Sequence, residues 1–371
     1  MTVARTIVYC SFDGRYSDNP RALYEGSAHG TTGDRHVWLC HPDHRGGFPS
    51  GTATVAYGSA EASRVLGEAD LIVANTHVEM DWSKKPGAVY LQTWHGTPLK
   101  RVHHDVFWAP PGRLARLDGD VARWDYLVSP NPVSTPRLRS AFGFTKEVLE
   151  TGYPRNDLLV SPRSELVRAR VRATLGLSDE TTAVLYAPTW RDDEYFAEGA
   201  PQAGLALDID AFVSELGHTH TLMPRVHYLM TDRLPPMKRP GVADVSRYPD
   251  MQELYLAADV LITDYSSSMF DFAVTGKPMI FYTYDLATYR DSLRGFYFDL
   301  EPLAPGPLLS AGAEVLAALG HLPEVQNRYA DAYDAFRRTF CTLDDGRATQ
   351  RLARLMASKA GTARELADTS D

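Results

Sequence analysis

The chain has 371 residues, more than the roughly 250–300 that one hydrophobic core usually organises, so two domains are expected. Hydrophobic residues make up 44% and charged residues 23%, and the net charge of -9 argues against a general affinity for nucleic acid or anionic membranes. Three scattered cysteines without a Cys-x-x-Cys pair predict reduced thiols. No signal peptide and no run of about 18 apolar residues is found, which predicts a cytoplasmic protein that reaches the inner face of the membrane only by peripheral association.

Short apolar segments alternate with helical or irregular ones along the first half of the chain. The predicted strands are 6–10, 37–40, 71–74, 88–92, 125–129 and 147–150. A helix is predicted over 21–29, with Asn19 as its cap and Pro20 in its first turn. This alternation is typical of a parallel α/β sheet.

A break rich in Gly, Pro and Asn at 152–157 predicts the boundary between two α/β domains. The second series of predicted strands is 183–186, 221–224, 260–263 and 279–282, with helices over 164–175, 314–319, 324–339 and 347–357. The predicted organisation is an N-terminal domain of residues 1–158, a C-terminal domain of residues 159–345, and a closing helix with a frayed tail at 346–371.

His95 is the first candidate for chemistry, because it follows a predicted strand, and ligands of parallel sheets bind at the carboxyl ends of strands. Its ordinary pKa suits removal of a hydroxyl proton near neutral pH. A lone histidine would more often only tie down a loop. The neighbours Gly96, expected to offer an open backbone, and Thr97 favour a ligand-binding loop instead.

Three segments of the second half also follow predicted strands. In the first, Thr189 offers a hydroxyl and Arg191 a guanidinium that can hold a phosphate. In the next, Arg225 and His227 stand two residues apart and share one side of an extended chain, suited to a diphosphate. Taken singly, the first segment is as readily explained as a turn with a surface arginine, and the second is better explained as two polar residues on a solvent-facing surface.

The third of these segments is the serine cluster after the strand at 260–263. The Ser266 and Ser267 hydroxyls and the free N–H groups at the start of the next helix would form an anion site. Asp264 and Asp271 would then be available for polyol hydroxyls, ribose hydroxyls or the helix cap.

Other acidic and histidine motifs do not predict a metal site. Asp208 and Asp210 resemble a metal-binding Asp-x-Asp, but they precede an amphipathic run, and Asp210 is interpreted as its helix cap. The histidines at 41–44 and 218–220 lack the third ligand of a zinc site. Without a Gly-x-Gly-x-x-Gly or Walker loop, no nucleotide cofactor is predicted.

Together these motifs resemble the CDP-glycerol glycerophosphotransferase family, the teichoic-acid polymerases and primases. The resemblance spans roughly residues 6–299 and rests on motifs in the same order: DNP (18–20), WHGTP (94–98), GYPRND (152–157), YAPTWR (186–191), RVH (225–227), TDYSS (263–267), FDF (270–272), KP (277–278) and YTYD (282–285).

The resemblance implies an α/β fold of the GT-B class, with two Rossmann-like domains facing across a cleft. It also implies metal-independent transfer of a polyol phosphate from a CDP-polyol donor to a polyol-phosphate or lipid-linked saccharide acceptor. Catalytic roles fall on His95 and His227. Substrate binding falls on Asn19, Gly96, Thr97, Thr189, Arg191, Arg225, Asp264, Ser266, Ser267 and Asp271.

Two alternatives remain open at the level of sequence. A GT-B glycosyltransferase using a nucleotide sugar would share the fold and the diphosphate-binding groups, but it would attack a sugar carbon instead of phosphorus. A catalytically silent module that binds anionic polymers is disfavoured by the negative charge and by the pair His95 and His227. The sequence does not distinguish the polyol, the acceptor, or single transfer from polymerisation.

Overall fold

A parallel sheet, built from short strands with buried, largely β-branched and aromatic residues, forms the centre of the first of two units. The computed structural model describes residues 4–27, 33–189, 205–226 and 237–356. Unit 1 comprises the described residues of Met1–Thr97, His103–Asp157 and Leu343–Asp371, and unit 2 comprises those of Pro98–Val102 and Leu158–Thr342.

The sheet of unit 1 has the strand order β3-β2-β1-β4-β5-β6-β7, and every pairing is parallel. Its strands are β1 (Thr6–Cys10), β2 (Arg35–Cys40), β3 (Thr54–Ala56), β4 (Leu71–Ala74), β5 (Val89–Gln92), β6 (Tyr126–Ser129) and β7 (Glu147–Glu150). The direction of winding reverses between β1 and β4. In doubly wound sheets the loops at the carboxyl ends of such a strand pair are the usual ligand site.

The helices of unit 1 are α1 (Asp18–Ser27), α2 (Ala60–Glu68), α3 (Arg113–Val121) and α4 (Ser134–Phe142). Tyr9 and Trp38 stack in the core with ring centroids 5.1 Å apart. The same core includes Leu352 and Met356, which lie on the helix at 348–356. That closing helix therefore packs within unit 1.

The sheet of unit 2 has the order β10-β11-β9-β8-β12-β13-β14, with only the β10–β11 pair antiparallel. Its strands are β8 (Thr182–Tyr186), β9 (His220–Pro224), β10 (Lys238–Arg239), β11 (Val242–Ala243), β12 (Val260–Thr263), β13 (Met279–Tyr282) and β14 (Leu308–Leu309). Here the winding reverses between β8 and β12, which directs attention to the loops that follow those two strands.

The longer helices of unit 2 are α5 (Ser164–Leu175), α6 (Ile209–Leu216), α7 (Met251–Ala257), α8 (Ser268–Ala273), α9 (Gly312–Leu319) and α10 (Leu322–Phe340), and a short helical segment spans 286–293. The closing helix of unit 1, at 348–356, is α11. The α/β prediction is confirmed, and two Rossmann-like units are the make-up of the GT-B class. No helix in the described ranges is both long and apolar enough to cross a bilayer.

Two predicted helix caps are wrong. Asn19 lies inside the first turn of α1, which begins one residue earlier at Asp18. Asp208, not Asp210, caps α6, because its carboxylate accepts a hydrogen bond from the Ala211 N–H at 3.0 Å. Asp210 instead pairs with Arg239.

Candidate active site

His95 lies three residues beyond the end of β5, in the loop that follows this strand of unit 1. Trp94 has a φ of +53°, a left-handed conformation that a bulky residue rarely adopts. This turn brings the His95 ring to the end of β4, where its Nδ1 lies 2.5 Å from the main-chain oxygen of Asn75. A carbonyl oxygen can only accept, so Nδ1 carries the proton and Nε2 keeps its lone pair. The ring is thus held in the tautomer that a general base requires.

The surroundings of His95 keep its ring uncharged. The ring packs against the indole of Trp94 and the ring of Phe12, with centroids at 4.2 and 5.3 Å. Part of the side chain remains accessible, yet burial among these rings lowers the pKa of His95 to about 4. At neutral pH the imidazole is therefore in its base form.

Asn19 supports this loop from α1. Its buried side-chain amide donates to the Trp94 carbonyl at 3.1 Å and accepts from the Arg155 N–H at 3.1 Å. Both ends of the amide are therefore occupied within unit 1. Asn19 positions the residue before His95, and its predicted substrate contact remains a prediction.

Gly96 and Thr97 are buried instead of open. The Tyr153 hydroxyl accepts from the Gly96 N–H and donates to the Gly96 carbonyl, both at 3.2 Å. The expectation that Gly96 offers a free backbone to a ligand is therefore wrong in this structure. Thr97 accepts a hydrogen bond from the side chain of Asn131 at 3.3 Å.

A buried ion pair joins α1 to the turn after β7. Arg155 Nη1 lies 2.5 Å from Asp18 Oδ2, and both side chains are less than one-tenth exposed.

Sequence reasoning assigned no role to Asp18, Arg155, Tyr153 or Asn75. For Asn75 a signal exists, because it directly follows β4 at the reversal of winding; its side-chain oxygen accepts from the Phe12 N–H at 3.1 Å.

In unit 2, Asp264 fastens together the two loops at the reversal of winding. Its carboxylate is buried, accepts the Thr189 N–H at 2.9 and 3.0 Å, and accepts the Tyr265 N–H at 2.6 Å. Thr263 adds a second tie by donating to the Ala187 carbonyl at 2.8 Å. These contacts give Asp264 a positioning role.

The two predicted serines lie where β12 leads into α8, and both are half-buried. Ser266 Oγ accepts from the Ser268 N–H at 3.3 Å, whereas the Ser267 hydroxyl forms no capping hydrogen bond. Asp271 is buried in the first turn of α8. Helix α8 has only six residues, so its dipole is weak, and the serine hydroxyls are the more substantial anion-binding groups.

Arg225 follows β9, and one end of its guanidinium binds the protein itself. Its Nη1 donates to the carbonyls of Val245, Ser246 and Tyr248 at 2.8, 2.6 and 2.7 Å. These bonds fix the guanidinium beside the end of β9. Arg191 and His227, also predicted as site residues, lie outside the described residues.

The family of the chain follows from comparison with known proteins. The family model described as CDP-Glycerol:Poly(glycerophosphate) glycerophosphotransferase matches residues 2–358. The chain belongs to this family.

Among the relatives, a teichoic acid glycerol-phosphate transferase of Staphylococcus aureus is 39% identical over 357 residues, which is 93% of this chain and 91% of that protein. A teichoic acid poly(glycerol phosphate) polymerase of Staphylococcus epidermidis is 38% identical over 362 residues, 95% of this chain but 50% of the polymerase. The chain thus spans about half the length of that polymerase.

Structures of the wall teichoic acid polymerase TagF, one of them a histidine-to-asparagine variant soaked with CDPG, are similar to this chain throughout. The TM-score is 0.87 at 36% identity, and the match covers 96% of this chain and 90% of the TagF chain. The resemblance drawn from the motifs is therefore confirmed.

Proposed function

We propose that this family member transfers a polyol phosphate, with glycerol phosphate as the first choice, from a CDP-polyol to an acceptor hydroxyl and releases CMP. The observation that carries the proposal is His95, whose Nδ1–H is held by the Asn75 carbonyl so that Nε2 is free to take a proton. The names of the relatives support glycerol phosphate as the group transferred.

In the proposed reaction, the acceptor oxygen attacks the phosphorus that bears the polyol. Its proton passes to His95 Nε2 as the new P–O bond forms. The bond from that phosphorus to the bridging oxygen breaks, and CMP leaves with the electron pair. General-base help of this kind typically contributes ~10²–10⁴-fold to the rate.

The proposed donor-binding groups are in unit 2. Ser266, Ser267 and Arg225 would bind the diphosphate, with Arg191 and His227 as further cationic or hydrogen-bonding groups. Asp264 holds the Thr189 loop in place because both of its carboxylate oxygens accept from the Thr189 N–H. Asp271 stays a proposed hydroxyl-binding residue.

The proposed transfer does not use a metal ion. The one Asp-x-Asp motif that suggested a metal is accounted for by other contacts, since Asp208 caps α6 and Asp210 pairs with Arg239. Charge on the transferring phosphoryl group would be met by arginine, histidine and N–H groups instead.

The test is a product assay with the purified full chain and a soluble glycerol-phosphate acceptor. CDP-glycerol, CDP-ribitol and UDP-glucose are compared as donors, and CMP, UDP and the new phosphodiester are measured. The proposal expects CMP and a phosphodiester from a CDP-polyol. Release of UDP with formation of a glycoside would support the glycosyltransferase, which the relatives do not favour, and polymer binding without any CMP release would support a silent module.

We also propose that unit 1 associates peripherally with an anionic membrane surface, at the inner face of the cell membrane. Phe107 and Trp108 are 59% and 75% exposed, and Arg113 and Arg116 lie on the helix that follows. Both arginines also pair with Glu79, so the two exposed aromatics carry the proposal, since such side chains are suited to the lipid–water interface.

Co-sedimentation with phosphatidylglycerol vesicles tests this association. Trp108→Ser should lower the bound fraction, because the indole is the largest apolar group available to enter the interface. Leu166→Ser is the matched control, since Leu166 is 71% exposed but lies in unit 2. Equal binding by the two variants and the wild type would contradict the assignment.

A further inference from the structure

Away from His95, three side chains of unit 1 bring metal-ligand atoms together. His103 and His104 lie on a 3-10 turn, and Asp118 lies on α3. The ligand atoms that these three residues offer all lie within 4.8 Å of one another. Asp118 Oδ1 is 2.7 Å from His104 Nε2 and 3.7 Å from His103 Nε2.

His103 is oriented in the way that metal-binding histidines usually are. Its Nδ1 lies 3.1 Å from the Ala141 carbonyl oxygen and must donate to it, which leaves the lone pair on Nε2. Carbonyl contacts of this kind fix the tautomer and ring direction of histidine ligands. The ring is further held by stacking on His77, with centroids 5.3 Å apart.

A simple surface ion pair between His104 and Asp118 leaves the environment of His103 Nε2 unexplained. The His103 side chain is only 2% exposed, and its Nε2 has no hydrogen-bond partner among the described residues. A buried acceptor without a partner costs stability. The backbone at His103 is also strained, with a φ of +50°. The His104–Asp118 contact accounts for neither feature.

We propose that His103, His104 and Asp118 bind a divalent transition-metal ion, of which Zn²⁺ fits best. Two imidazoles and one carboxylate are a common zinc donor set, with water in the fourth position. Tetrahedral bonds of roughly 2.0–2.1 Å separate ligand atoms by about 3.3 Å, between the two distances observed here. The three ligand atoms lie within 4.8 Å of one another, so closing on an ion requires His104, whose side chain is 41% exposed, to shift.

The expected effect is local and separate from the transfer chemistry. The ligands flank residues 105–117, the segment that carries Phe107 and Trp108, and a bound ion would tie the two ends of this segment together. Sequence patterns gave no indication of the site, because Asp118 is 14 residues from His104 and lies on a different element.

Zinc titration of the untagged full chain tests the proposal, after chelator treatment and with a competing zinc dye as the probe. The wild type should bind one tight equivalent, and zinc should raise its Tm. His104→Gln and Asp118→Asn, both at accessible positions, should each weaken this binding at least ~10-fold and abolish the Tm shift. Circular dichroism checks that both variants fold.

His44→Gln is the matched control, because His44 belongs to a partly exposed cluster with His41 and Asp43 in the same unit. It should bind zinc like the wild type. The proposal is overturned if the wild type does not bind zinc at tens of micromolar, or if the His104 and Asp118 variants keep wild-type affinity. It is also overturned if His44→Gln alone removes the binding.

Discussion

His95 combines a fixed tautomer with a low pKa, and the pH dependence of activity should reflect both. Because burial lowers its pKa to about 4, the ring stays neutral well below its ordinary value of 6.5. The pH dependence of kcat/KM reports the pKa values of the free enzyme, so the loss of kcat/KM in acid should begin only far below pH 6.5. The measurement is CMP release between pH 4.5 and 8, and a tenfold loss per pH unit starting near 6.5 would contradict the assignment.

The same shift in the pKa of His95 affects stability. The folded pKa lies below the unfolded one, so the contribution of the neutral ring is fully present above about pH 6.5. It is lost as the pH falls towards about 4, because the unfolded chain takes up the proton first.

The buried Asp18–Arg155 pair lies close enough to contribute to the pKa of His95. Disruption of this pair would cost about 3–5 kcal/mol.

Individual site residues differ in how far the sequence could reveal them. The position of His95 followed from the strand before it and from the rule for parallel sheets. The position of Asn75 after β4 is a signal, but its contact with His95 could not be recognised, because that contact uses a main-chain oxygen that any residue would supply. The hydrogen bonds that occupy the backbone of Gly96 could not be foreseen either, because their partner Tyr153 is 57 residues away in the sequence.

The segment GYPRND, expected as a break between domains, organises the end of unit 1. Gly152 has a φ of +76°, and a Cβ there would lie 2.8 Å from the Leu343 carbonyl oxygen. Asn156 donates to Asp344 at 3.0 Å. Asp157 accepts from the N–H groups of Ala348 and Thr349 at 2.9 and 2.8 Å, and so caps α11.

Replacing this cap should loosen the closing helix. Asp157→Ala is expected to cost about 0.5–2 kcal/mol, because two N–H groups at the start of α11 lose their acceptor. Hydrogen exchange over residues 343–356 should rise as a result. Asp208→Ala, which removes the cap of α6, is the control and should leave exchange in that segment unchanged. Equal protection of the segment in both variants would refute the capping role.

Most strands and the long helices could be predicted, because their hydrophobic patterns are strong. The strands 6–10, 71–74, 147–150, 260–263 and 279–282 and the helix 164–175 have the predicted bounds. Strands β3, β10, β11 and β14 have two or three residues, too few to create a pattern. The closing helix was expected, but only tertiary contacts assign it to the core of unit 1.

At the scale of the whole molecule, both sheets place their candidate residues at a reversal of winding. Asn75 and Phe12 follow β4 and β1 in unit 1, with His95 after the adjacent β5. Thr189 and Asp264 follow β8 and β12 in unit 2. One rule for parallel sheets thus accounts for the position of both groups.

A chelator should not stop the reaction, because no step of the proposed transfer uses a metal ion. EDTA is expected to leave CMP release with a soluble acceptor within about two-fold of the untreated rate, since arginine and N–H groups meet the phosphoryl charge. Loss of zinc from the His103–His104–Asp118 site should not change this rate. A large loss that Mg²⁺ restores would contradict metal-independent transfer.

The central claim is that His95 deprotonates the acceptor hydroxyl, and the most direct measurement is the turnover of His95→Ala. CMP release from CDP-glycerol is compared with the wild type and with His44→Ala, an accessible histidine of the same unit. Since general-base catalysis contributes ~10²–10⁴-fold, His95→Ala should lose that much in kcat while its KM for CDP-glycerol changes little. His44→Ala should turn over normally. A His95→Ala variant that folds and keeps near wild-type kcat would contradict the account.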